Sequence, residues 1–116
     1  MIDVEEIKEK LSKLPSLIAR EFEKKEALTR EKTELEYNLK NEEAERLWTG
    51  QLEIDKRGMT IWKAKIRREL KPFHEQLKEI SLELTTINTK IEIFSGELGA
   101  TKILAGLLNT EMKLNH

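Results

Sequence analysis

The chain has 116 residues, of which 37% are charged and only 5% aromatic, and it carries no cysteine. That length allows one domain or one elongated unit, and the composition excludes a disulfide framework, a thiolate metal site and a large compact core. The net charge of −1 hides an asymmetry: residues 56–71 hold seven Lys or Arg and one Glu, a net +6, whereas residues 1–55 sum to −5 and residues 72–116 to −2.

Abundant Glu, Lys and Leu with few Gly and Pro suits long helices and coiled coils, so partner chains are expected to complete the core. Met1-Ile2-Asp3-Val4-Glu5-Glu6 lacks the basic-then-apolar layout of a signal peptide. No apolar run approaches the ~20 residues of a spanning helix. The expectation is a soluble, cytoplasmic protein that does not enter a membrane.

Residues 2–13 predict a short amphipathic helix with Ile2, Ile7 and Leu11 loosely on one side. Pro15 disfavours helix at Leu14 and fits the first turn of a new one. A long charged helix is predicted over residues 15–49, with a sparse stripe of Ile18, Phe22, Leu28, Leu35, Leu39 and Leu47. Glu21 with Lys25 and Glu36 with Lys40 give it i,i+4 support. Gly50 is expected to cap it in the left-handed conformation.

Residues 50–66 read as a basic β-hairpin, with strands near 51–54 and 59–66 around the turn Asp55-Lys56-Arg57-Gly58. In Ile61-Trp62-Lys63-Ala64-Lys65-Ile66-Arg67 the cations alternate with Trp62, Ala64 and Ile66, giving a strand one cationic and one apolar face. A continuous helix through residues 60–70 is the competing reading. From Ile66 to Leu98, through Leu70, Phe73, Leu77, Ile80, Leu84, Ile87, Ile91 and Phe94, apolar residues follow alternating spacings of four and three. That is a sustained coiled-coil heptad. Pro72 sets the start of this helix near Lys71, and it is predicted to run over residues 71–95. Residues 96–116 are read as an oligomerisation tail: Gly96, Gly99, Ala100 and Gly106 permit close approach, and Leu98, Ile103, Leu104, Leu107 and Leu108 supply the apolar contact. The fold class that results is mainly α: a long helical hairpin with a short β-hairpin insertion and a C-terminal oligomerisation helix, in one elongated domain.

Catalytic patterns are missing. His74 and His116 have no His or Cys at ligand spacing, and no Gly-rich phosphate loop, nucleophile elbow or HExxH occurs. No enzyme activity, metal or cofactor is expected. The basic segment is the functional candidate. Lys and Arg on one face line a phosphate backbone with strong salt dependence, and Trp62 or Trp48 offers a surface for stacking unpaired bases. The plainer reading is a solvated edge strand, its lysines blocking strand-to-strand aggregation or pairing with the Glu-rich first helix. Trp62, opposite Lys63, is also a candidate core residue.

The layout resembles the UvsY recombination mediators of T4-type phages over about residues 14–109. Leu14-Pro15-Ser16-Leu17 is similar to the family's helix start, and Leu47-Trp48-Thr49-Gly50 to its aromatic-Ser/Thr-Gly motif. Trp62-Lys63-Ala64-Lys65-Ile66-Arg67-Arg68-Glu69-Leu70 is similar to its basic strand, and Ile93-Phe94-Ser95-Gly96-Glu97-Leu98 to its late Ser-Gly stretch. Two places depart from the pattern. Glu42-Glu43-Ala44-Glu45, with only Arg46 basic, stands where the family has a basic cluster, so no DNA contact carries over there. Pro72-Phe73-His74-Glu75 keeps only the Glu of an acidic pair.

The resemblance implies an accessory role. A ring-like homo-oligomer would bind single-stranded DNA coated by a single-strand binding protein, weaken that protein's hold and help a RecA-like recombinase nucleate. Lys56, Arg57, Lys63, Lys65, Arg67, Arg68 and Lys71, with Trp62, are the expected DNA contacts. The alternative is a structural or adaptor coiled-coil protein, such as a phage assembly or scaffold part, whose basic patch meets an acidic protein. A membrane-surface role for residues 98–108 is a third reading.

Overall fold

The computed structural model describes residues 3–51 and 56–114, with the side chains of residues 3–48 and 60–111. They form three helices: α1, Val4–Gln51; α2, Lys56–Glu69; and α3, Lys71–Leu114. There is no strand among the described residues. The chain divides into two units, one of Met1–Glu26 with Thr85–His116 and the other of Ala27–Leu84.

The expected β-hairpin is therefore corrected. Residues 59–66, taken as its second strand, lie within α2, while residues 52–55, most of its first strand and the start of its turn, lie outside the described residues. Gly50 belongs to α1 instead of capping it, and Gly58 belongs to α2. The physical reason is spacing. Trp62, Ile66 and Leu70 stand four apart, on one side of a helix. Leu70 is fully buried, Ile66 is 6% exposed and Trp62 is half-buried. A helix satisfies its own backbone, whereas an isolated two-stranded hairpin is marginal in water. Lys, Ala, Arg and Glu in this stretch also favour helix.

Asp3 starts α1. Its Oδ1 accepts from the backbone N–H of Glu5 at 3.0 Å and of Glu6 at 3.4 Å, which satisfies otherwise orphan donors. Glu5 and Glu6 complement the helix dipole there. Pro15 does not end this helix; it lies inside α1. An interior proline costs about 3 kcal/mol, but Ile7 and Leu14 are buried and Leu11, Leu17 and Ile18 are half-buried around it. Burying that stripe offsets the lost hydrogen bond.

In the terminal unit, Lys10 Nζ reaches Glu97 at 3.3 Å, and Leu14, Leu17 and Phe94 line one groove. The hydrogen bond to Glu97 keeps the Lys10 ammonium charged to higher pH than usual. Its stabilising contribution is complete below the ordinary lysine range and is lost as pH rises through the raised value.

Glu21 is a buried charged residue in this unit, at 6% exposure. Oε1 accepts from Lys24 at 3.3 Å, while Oε2 has no hydrogen-bond partner among the described residues. It occupies a seam that runs Ile7, Leu11, Leu14, Ile18, Glu21, Lys25, Leu28, Lys32, Leu35 and Leu39, all buried or half-buried at alternating spacings of four and three. Leaving one carboxylate oxygen unsatisfied costs about 1–3 kcal/mol. Glu21→Leu is therefore expected to raise stability by about that amount in urea titration; an unchanged or lower midpoint contradicts this.

In the central unit, Leu39, Ile66 and Leu70 form the core, joined by Leu47, Trp62, Phe73 and Leu77. Leu70 separates α2 from α3. Its N–H donates to the Ile66 carbonyl at 2.9 Å, and its own carbonyl accepts from Phe73 at 3.1 Å and His74 at 3.2 Å. Pro72 then falls in the first turn of α3, where a missing N–H costs little. Beyond residue 95, α3 continues to Leu114 through Gly96, Gly99 and Gly106.

Candidate nucleic-acid interface

The basic residues ride on α2 and the first residue of α3. Helical geometry places successive residues about 100° apart, so the cations do not share one face as they would on a strand. Ile66 and Leu70 turn inward with Trp62. Lys63 and Arg67, four residues apart, flank that buried stripe on one side, and Lys65 lies on the other. Arg68 points away from it. All four are exposed. Lys56 and Arg57 belong to the first turn of α2, and Lys71 opens α3.

Lys63 and Arg67 line a groove with Glu43, Leu47 and Ile66. Its volume, about 170 Å³, is below the ~300–1,000 Å³ of small-molecule sites. The Glu43 carboxylate shares it with the two cations, so the groove is mixed in charge.

Glu42, Glu69 and Glu75 are already engaged. Arg46 pairs with Glu42 on its own helix and donates from Nε to Glu69 Oε2 at 3.0 Å. These two hydrogen bonds raise the pKa of the Arg46 guanidinium above its ordinary range. His74 Nε2 stands 3.7 Å from Glu43, and Lys71 stands 3.9 Å from Glu75. Lys63, Lys65, Arg67 and Arg68 have no carboxylate partner among the described residues. The Glu-rich end of α1 thus neutralises Arg46, and it leaves these four cations without a carboxylate.

Trp62 packs against the core. Its Nε1–H donates to the Arg46 carbonyl at 2.8 Å, which ties α2 to the end of α1. Lys65 Nζ stands over the indole, 5.0 Å from the ring centroid. This arrangement uses both the polar handle and one side of the ring. The open indole is Trp48, 66% exposed in the last turn of α1 and next to Leu47 of the groove. Ile61, 70% exposed, lies on the outward side of α2 near Lys65 and Arg68.

The residues expected to mediate oligomerisation divide between two sides of α3. Leu98 and Leu108 are half-buried within the chain, whereas Ile103, Leu104 and Leu107 are exposed. No group of three or more His, Asp or Glu gathers into a metal cluster among the described residues. Among the same residues, no helix is long and apolar enough to cross a membrane. No family model matches the chain, nor does any curated protein or solved structure.

Proposed function

We propose that this chain binds single-stranded DNA through α2 and serves as an accessory protein in recombination. In that role a homo-oligomer, ring-like as the resemblance implies, engages DNA coated by a single-strand binding protein and helps a RecA-like recombinase nucleate. The observation that carries DNA binding is the set of four exposed cations without carboxylate partners, beside an exposed tryptophan. The mediator role rests on the resemblance to UvsY proteins. The described part of the β-rich insertion of that resemblance, residues 56–66, is helical in this chain, so contact with DNA is assigned to the solvent side of a helix. One such patch binds weakly, but several copies in one assembly gain avidity because later contacts are intramolecular.

Phosphates would be held by Lys63 and Arg67 at the groove and by Lys65 and Arg68 across the outward side of α2. Trp48 would stack on an unpaired base. Stacking of this kind is worth about 1–3 kcal/mol per base. Adding a short unstructured oligonucleotide should quench tryptophan fluorescence, and Trp48→Ala should remove the quenching and weaken binding about 5- to 150-fold. Quenching that persists in Trp48→Ala would transfer the base contact to Trp62.

Ile61 favours a second reading. An exposed apolar residue between Lys65 and Arg68 also suits an acidic groove on another protein, the adaptor role. Ile61→Ser separates the two: it should leave oligonucleotide affinity unchanged under the DNA reading and abolish capture of the protein partner under the adaptor reading.

A further inference from the structure

Residues 85–114 of α3 carry two seams. One, Ile87, Ile91, Phe94, Leu98, Thr101, Ala105 and Leu108, is buried or half-buried within the chain. The hydroxyl of Thr101 is satisfied there by the Glu97 carbonyl at 2.7 Å. The other, Thr89, Ile93, Gly96, Ala100, Ile103 and Leu107, has the same alternating spacing but lies on the opposite side and is exposed throughout. Ile93 is 59% exposed, Ile103 66% and Leu107 58%, with Leu104 at 39% along one edge. A Cβ added at Gly96 would meet no atom within 4 Å, so packing within the chain does not require a glycine there. A helix that is apolar on two sides is a helix covered on two sides.

We propose that the second seam is the contact surface for a second copy of this chain, laid antiparallel across it with a two-fold axis at Ala100. Three pairings about that residue suit close packing. Ile93 falls opposite Leu107 of the other copy, Gly96 opposite its Leu104, and Ala100 opposite its Ala100. Ile103 falls opposite Glu97, a half-buried carboxylate already held by Lys10, and the same patch serves both copies, as a two-fold interface requires. Gly96 and Ala100 bring the axes toward the short end of the ~8–10 Å range of packed helices.

The charges agree with this orientation. Lys90 and Glu111 are exposed, and neither has an ion-pair partner among the described residues. In the antiparallel arrangement Lys90 of one copy lies beside Glu111 of the other, twice by symmetry. A parallel pair would set Lys90 against Lys90 and Glu111 against Glu111. This inference goes beyond the DNA-binding reading and stands without it. A two-fold contact closes on two copies, so a ring would use it together with a further surface.

The chain has no cysteine, so introduced thiols report on their own. Under mild oxidation Ala100→Cys should form a covalent dimer at least ten times faster than Lys102→Cys, which lies off the seam. Gly96→Cys should not link to itself but should link to Leu104→Cys when the two are mixed. Light scattering should show the unmodified chain as a dimer or a multiple of it, and Ile103→Asp with Leu107→Asp should lower that mass with helix content by circular dichroism unchanged. Equal rates at Ala100→Cys and Lys102→Cys, self-linking of Gly96→Cys as fast as Ala100→Cys, or a monomeric unmodified chain would each overturn the proposal. None of these readouts involves DNA.

Discussion

Leu70→Ala is expected to destabilise the protein by about 2–5 kcal/mol, the range for removing a buried leucine from a site that cannot collapse. Leu70 is the one fully buried large side chain among the described residues, and it packs with Leu39 and Ile66. It is also the residue between α2 and α3, with hydrogen bonds to Ile66 on one side and to Phe73 and His74 on the other. Relaxation into the cavity would have to move two helix ends at once, which places the expected cost in the upper half of the range. Urea titration followed by circular dichroism measures it. Ile61→Ala, on the exposed side of α2, is the control and should stay within about 0.5 kcal/mol of the parent. A loss at Leu70 no larger than at Ile61 would contradict the packing described for the central unit.

The second large effect concerns binding. Reversing Lys63, Lys65 and Arg67 to glutamate should lower affinity for a single-stranded oligonucleotide roughly 100-fold or more near 0.1 M salt, because each phosphate contact releases a counterion. The slope of log affinity against log salt should become shallower by ~2, about 0.7 for each phosphate no longer neutralised. Because all three side chains are exposed, the thermal midpoint and the assembly mass should stay unchanged. Affinity that survives the triple reversal, or that falls only together with helix content, would remove α2 from the interface.

The helical class was legible from composition, and the inner seam of α3 from its run of Leu, Ile and Phe, because an unbroken heptad of large apolar residues has few other uses. The seam of α1 was hidden. Glu21, Lys25 and Lys32 occupy seam positions there, and hydropathy alone does not mark them. The methylene stems of lysine can be covered while the ammonium reaches outward, and Glu21 is buried with its carboxylate. Pro15 and Gly50 misled for a related reason. Each is a local helix breaker, and each was overruled by tertiary packing or by the length of the helix around it.

The basic segment failed on period. Lys63, Lys65 and Arg67 alternate with Trp62, Ala64 and Ile66 as in a strand, but Trp62, Ile66 and Leu70 also stand at helical spacing. Both periods fit the same residues, and the burial of Leu70 decides between them. The positions of the cations survived the change of secondary structure, although their shared face did not. The outer seam of α3 was visible only in part. Ile103, Leu104 and Leu107 stand out as apolar residues, but their separation from Leu98 and Leu108 requires knowing which side of α3 the chain itself covers.

Whether the unpaired cations of α2 hold single-stranded DNA is decided by titrating a labelled unstructured oligonucleotide with the unmodified protein at about 0.05 and 0.2 M salt. Four phosphate contacts predict a log–log slope near −3 for each protomer engaged, so affinity should fall about 50-fold between the two conditions. An affinity indifferent to salt, or no binding at the lower concentration, would overturn the assignment of α2 to DNA.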